Sequence, residues 1–231
     1  MKRMLLAGSL VALLVPTAAL AAPREPGPAS FTTKIDNPYM PLKPGSRWVY
    51  RETDSEGTKQ KVVVTVTNQT KLIANGVTAR VVRDTVSEKG ALVEDTFDWY
   101  AQDRKGNVWY LGEDTKDYEN GKVVSTEGSF EAGVDGAKPG IAMLARPRPG
   151  MQYSQELYKG HAEDKARVLS RDDQAEVPAG HYRRVLMTKE FNPLEPKVLE
   201  YKLYAKGVGV VLAVGVSGGS DREELISFKK G

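Results

Sequence analysis

Apolar and polar residues alternate with a period close to two over much of the chain, and no helical period persists. Turn signals divide the alternating runs at short, regular intervals, the pattern of an antiparallel meander. Asp54 to Thr58 (DSEGT), Ser87 to Ala91 (SEKGA) and Asp103 to Asn107 (DRKGN) share one chemistry. Each opens on Asp or Ser and has Gly three residues later, which suits a type I turn closed by a left-handed glycine. Ala74 to Val77 (ANGV) and Glu119 to Lys122 (ENGK) carry Asn-Gly, the signal of a two-residue hairpin.

These turns predict a register, and a slip of one residue would move every side chain to the other face. Pairing Asp54 with Thr58 sets Trp48 opposite Val64 and Tyr50 opposite Val62. Pairing Ala74 with Val77 sets Leu72 opposite Ala79. Pairing Ser87 with Ala91 sets Val81 opposite Phe97 and Arg80 opposite Asp98. Pairing Asp103 with Asn107 sets Trp99 opposite Leu111 and Tyr100 opposite Tyr110. One face then collects Trp48, Tyr50, Val62, Val64, Val66, Leu72, Ala79, Val81, Phe97, Trp99, Trp109 and Leu111, and is expected to be the buried or concave one. The other face collects Asp98 and Asp114, with Glu127 brought opposite Asp114 by the Glu119–Lys122 turn and Arg80 and Lys116 close by.

Residues 131–149 are rich in Gly and Pro around an apolar centre, Ile141 to Leu144. This long loop is expected either as a lid over a binding site or as a crossover that plugs the sheet with Ile141 and Leu144. Beyond it, strands are predicted at Gln152 to Tyr158, Ala162 to Ala175, Tyr182 to Phe191, Val198 to Tyr204, Val208 to Val216 and Glu224 to Phe228. The fold class is therefore all-β: an antiparallel meander of roughly a dozen strands, curled into a half-barrel or barrel, with few or no helices.

Composition changes this picture at the N-terminus. Lys2 and Arg3 precede an apolar run from Leu5 to Leu20, and Ala19-Leu20-Ala21 offers a small-x-small cleavage site. Residues 1–21 read as a secretory signal peptide, 22–30 as a Pro-rich tether, and 31–231 as a single β-rich domain. The expected location is the periplasm or extracellular space, with no transmembrane anchor after cleavage. The chain has 33 basic and 30 acidic residues, and the signal holds two of the basic ones, leaving 31 against 30. That balance gives no field for nucleic acid. Without cysteine there is no disulfide, thiol nucleophile or thiolate metal site.

Candidate chemistry is sparse. Asp98, Asp114 and Glu127 read either as an acid/base or calcium-type oxygen site, with Tyr100 and Tyr110 positioning substrate, or as a solvated sheet face with cross-strand ion pairs. His161 and Glu163 share a strand face, but lack the spacing of a zinc protease. Gly215 to Gly219 matches G-x-S-x-G, yet no histidine follows Ser217. No cofactor and no metal site are expected.

The stretches IDNPYMPLKPGSRWVY (Ile35 to Tyr50), the run from Val93 to Gly140 that begins VEDTFDWYAQDRKGNVWYLGEDT, and YAKGVGVV (Tyr204 to Val211) resemble a family of uncharacterised exported bacterial proteins. The last hairpin also resembles the periplasmic lipoprotein-carrier half-barrels, although this chain shows no helices to plug its sheet. That resemblance implies a concave apolar face that holds acyl chains. The expected function is an exported soluble binding protein or carrier for an apolar small molecule, lipid or partner segment. Its expected ligand-binding residues are Trp48, Tyr50, Phe97, Trp99, Trp109, Ile141 and Leu144. The alternatives are a carboxylate-dependent hydrolase or lyase, and a structural cell-envelope protein.

Overall fold

The computed structural model describes residues 25–231; the expected signal segment and the start of the tether lie outside them. The first half carries β1 (Phe31–Thr32), β2 (Arg47–Thr53), β3 (Lys59–Leu72), β4 (Thr78–Glu88), β5 (Ala91–Asp103), β6 (Val108–Glu119) and β7 (Lys122–Ser125). The middle segment adds β8 (Phe130–Glu131), β9 (Gly140–Met143) and β10 (Gln152–Ser154). The second half carries β11 (Lys165–Val177), β12 (Gly180–Asn192), β13 (Glu195–Ala205), β14 (Gly209–Ser217) and β15 (Arg222–Lys229). A 3₁₀ turn at Pro28–Ser30 is the only helical element among the described residues.

All strands join one antiparallel sheet in the order β10-β11-β12-β13-β14-β15-β2-β3-β4-β5-β6-β7, with β1 on β5 and both β8 and β9 on β6. The C-terminal strand β15 thus pairs with β2, and the meander's two halves meet there. The ladder does not close. The middle segment bridges its two sides: Ile141 of β9 pairs with Trp109 of β6, and Lys138 N–H donates to the Leu157 carbonyl. Residues 131–149 are thus a crossover with its own strand, and Ile141, Met143 and Leu144 are buried core.

One end of the curled sheet is floored by residues 33–46. Asp36 and Asn37 donate backbone N–H groups to Gln102 Oε1 at 3.0 and 2.9 Å. The Asn37 amide donates to the carbonyls of Gly106 and Leu144. Beyond them, Gly207 N–H donates to the Pro38 carbonyl. The strap so runs from the β5–β6 turn to the β13–β14 turn, and its buried polar groups are paired, as burial demands.

Three of the five predicted turns form as expected. Asp54–Thr58 and Asp103–Asn107 close as three-residue loops with Gly57 and Gly106 at positive φ, and Asn120–Gly121 makes the two-residue turn. The Ser87–Ala91 turn is instead a two-residue loop, Lys89 and Gly90, and a bulge beyond Val86 restores the face parity.

The turn at Asn75–Gly76 carries the main correction. Ile73 N–H bonds the Val77 carbonyl, so the loop has three residues, not two. The cause is tertiary: Asn75 N–H donates to the Ala132 carbonyl and Ala74 N–H to Glu131 Oε1. That one residue inverts β4, β5 and β6. Val66 faces Val82, and Val82 faces Asp98, where the sequence pattern had put Arg80 opposite Asp98. The expected single apolar face therefore divides. Trp48, Tyr50, Val62, Val64 and Val66 point inward, joined by Val82, Asp98, Tyr100 and Tyr110. Ala79, Val81, Trp99 and Leu111 point outward into a second small core with Ile73, Val77 and Ala132, while Leu72 is 71% exposed.

A second irregularity lies opposite Trp99, where Gly112 sits at φ 118° and shifts the β5–β6 register so that Asp98 faces Glu113. An added Cβ there would strike the Phe130 carbonyl. Gly112→Ala is expected to lower unfolding free energy by about 2–4 kcal/mol, from backbone strain and steric displacement together. A urea titration with the midpoint unchanged would show that the bulge does not depend on this glycine.

Candidate functional site

The inner face lines a partly open cavity of about 500 Å³, with Glu195 and Val198 among its exposed lining residues. Its floor is apolar and aromatic. Tyr39, Met40, Pro41 and Leu42 come from the strap, Trp48 and Tyr50 from β2, and Val64 from β3. Trp48 Nε1 donates to the Val208 carbonyl at 2.8 Å and the Tyr50 hydroxyl to the Val210 carbonyl at 3.1 Å, which ties β2 to the start of β14. Above the floor the walls become acidic.

On the β4–β6 wall, Tyr100 and Tyr110 stack with centroids 5.0 Å apart. The Tyr110 hydroxyl lies 2.8 Å from Asp98 Oδ1 and 2.7 Å from Glu113 Oε2. A phenol has one proton to give, so one of those contacts needs a proton on the carboxyl. Burial pushes Asp98 well above the usual carboxylate range, and the charges of Glu113 and Asp84 push it further. Burial likewise raises the Tyr100 and Tyr110 phenols.

Asp84 lines the same wall with its Oδ1 shut from solvent and without a hydrogen-bond partner. Burial, then the charge of Glu94, moves it up to about 7. Glu223 on β15 rises to about 8, from burial first and Asp84 second. Glu156, in the bridging segment, rises to about 9 through burial and its hydrogen bond to Asp164. Asp84, Asp98 and Glu223 are half-buried, and the surface they retain faces the cavity.

The opposite wall holds Lys202, the one basic residue among those lining the cavity. Its Nζ lies 2.9 Å from Glu190 and 3.2 Å from Glu200. Burial alone would raise Glu190. The Lys202 ammonium, with hydrogen bonds from Tyr204 and Thr188, outweighs it and holds the carboxyl below its ordinary value. Burial alone would lower Lys202, and the same two glutamates hold it well above the usual lysine value.

The residues expected from the sequence fall in different places. Trp48, Tyr50 and Asp98 line the cavity. Phe97 and Trp99 lie on the outer face. Trp109 is buried beside Phe31, its indole bonded to Asp103, and Ile141 and Leu144 are packed core. Asp98, Asp114 and Glu127 do not form one group. The bulge at Gly112 sets Asp114 opposite Phe97, on the outer face, where it pairs with Lys116 at 2.8 Å. Strand β7 ends at Ser125, and Glu127 lies in the turn beyond it. His161 stacks on Tyr158 rather than joining Glu163, and Ser217 donates to the Lys197 carbonyl.

The sequence reading missed Asp84, Glu156, Glu190, Glu200, Lys202 and Glu223. A signal existed for some of them: Glu200, Lys202 and Tyr204 alternate on one face of a strand, with Leu203 and Ala205 buried beside them.

No family model matches the chain, and no curated protein matches it. Among solved structures it is similar to a presumed lipoprotein from Parabacteroides distasonis ATCC 8503, at 12% identity and a TM-score of 0.46 over 83% of this chain and 98% of that one. It is also similar to a β-barrel-like protein of the domain of unknown function DUF1849 from Brucella abortus, at 12% identity and a TM-score of 0.39 over 80% and 96%. Neither likeness carries the functional reading below, which rests on the cavity.

The raised carboxyls give a stability prediction. In the folded protein Asp84 binds its proton up to about pH 7, against an unfolded value near 3.8. A folded value above the unfolded one stabilises the fold at low pH, and that contribution is lost as pH rises through the window. Asp84→Asn is therefore expected to raise the Tm by a few degrees at pH 8 and to leave it unchanged near pH 4. Scanning calorimetry at the two pH values checks this; an equal shift at both would assign the effect to packing instead.

Proposed function

We propose that this is an exported binding protein that carries a small molecule with an apolar body in the cavity of its curled sheet. The observation that carries the reading is the cavity itself. A core built only for stability is filled by its own side chains at crystal-like density, whereas about 500 Å³ is left open here between an aromatic floor and polar walls. That volume and lining are those of small-molecule sites. The strap supports the reading as well, since it closes one end of the sheet without filling the space above it. Export is part of the proposal through the N-terminal pattern at Lys2 to Ala21.

A second reading, acid–base chemistry in the same cavity, is favoured by the Glu156–Asp164 pair and by Tyr110 between two carboxyls. Steady hydrolysis of p-nitrophenyl esters or glycosides, lost in Glu156→Gln, would decide for it.

The binding reading is tested with the neutral probe N-phenyl-1-naphthylamine. Saturable fluorescence enhancement is expected with the wild-type protein. Val64→Trp, which places an indole in the cavity, is expected to weaken it about tenfold while keeping the β-type circular dichroism. No saturable enhancement, or the same affinity in both proteins, would remove the cavity as the site.

A further inference from the structure

We propose that the cavity takes its ligand by a positively charged nitrogen, so that the molecule it holds is an organic amine with an apolar body. The inference rests on the binding reading above and narrows it to a chemical class.

The charge balance of the lining is one-sided. Eight carboxyl side chains face the cavity against the single ammonium of Lys202. Lys202 is already engaged by Glu190 and Glu200. It leaves Asp84, Asp98 and Glu223 on the facing walls, together with Glu156, Asp164 and Glu195, without a cationic partner among the described residues. Outside the cavity, Asp95 is bidentate to Arg83, and Glu224 is held by both Arg51 and Arg222.

A second observation points to a missing donor. Asp84 Oδ1 is a fully buried acceptor with nothing bound to it. A buried polar atom of this kind costs stability until a partner arrives.

The chemistry of the partner follows from the geometry. An anion would meet eight carboxyls and one occupied lysine, so carboxylate and phosphate ligands are disfavoured. Among the described residues no three carboxylate or histidine side chains are grouped as metal ligands, so the carboxyls are spread for something larger than a metal ion. An ammonium on an organic body fits that spread. Its N–H groups can reach separate oxygens, and the faces of Tyr50 and Tyr100 attract a cation. The apolar body then lies on Trp48 and the strap residues below.

Such a site depends on pH, because the cation must find ionised carboxyls. Asp84 faces Glu94 from β5, Glu52 from β2 and Glu113 from β6. Glu223 faces Asp84 from β4, Lys202 and Glu200 from β13, and Glu52 from β2. With values of about 7 and 8, both are protonated near pH 5 when the cavity is empty. Binding an ammonium drives their protons out, so affinity rises with pH through this range.

The test uses octylamine, octanol and octanoate as competitors of N-phenyl-1-naphthylamine. They share one chain and differ in the head group, and a primary amine is cationic at pH 8. Octylamine is expected to displace the probe at about one-tenth the concentration of octanol, with octanoate weakest. At pH 5 the amine's advantage over the alcohol is expected to vanish. In Asp84→Asn/Glu223→Gln the amine-to-alcohol ratio at pH 8 is expected to fall toward one. If the double variant fails to fold by circular dichroism, Glu223→Gln alone is read for a partial fall in the same ratio. Equal potency of amine and alcohol at pH 8, with the neutral probe still bound, would overturn this inference and leave the binding reading standing. Failure of the neutral probe itself would overturn both.

Discussion

The interior of this protein depends on one residue of register. The turn at Ala74 to Gly76 holds three residues between Ile73 and Val77 because residues 131–132 bind its backbone from outside the hairpin. With a period of two along each strand, that residue decides which face of β4, β5 and β6 looks inward. As built, the inward set is Val82, Asp84, Asp98, Tyr100 and Tyr110. The outward set, with Trp99 and Leu111, still finds burial under the crossover segment. Both faces of this part of the sheet are thus covered, and the more polar one lines the cavity.

That placement has an electrostatic cost and a local answer to it. Carboxyls crowded in a half-buried space cannot all ionise, so several keep their protons. Tyr110, with one hydrogen between Asp98 and Glu113, expresses this in geometry. The other answer is Lys202, which lets Glu190 stay charged at 8% exposure. The apolar floor and the acidic walls then form one amphipathic space. Its stability without a ligand and its affinity for a cation are coupled through the same protons.

The strands were legible in the sequence because their periodicity and turn chemistry are local. Trp48 and Tyr50 were placed correctly because the Asp54–Thr58 turn that sets their register behaves as its residues suggest. The face of β4 was not legible. Asn75-Gly76 is a good two-residue turn by local chemistry, and only Ala132 and Glu131, more than fifty residues later, impose the longer one. The same long-range control defeats the grouping of Asp98 with Asp114, since the bulge at Gly112 is shaped by Phe130. The cavity acids on β12, β13 and β15 escaped because the carboxylates of Glu190, Glu200 and Glu223 look like solvent-facing strand residues until the sheet curls around them.

The carboxyls of β4, β5 and β15 line one cavity of the curled sheet, withdrawn from bulk water. Carboxyl-carbon NMR titration of the unliganded protein reads this directly. Midpoints near 7 for Asp84 and near 8 for Glu223 are expected. Midpoints for both near 4, the range of solvated carboxylates, would place these side chains in open water and contradict it.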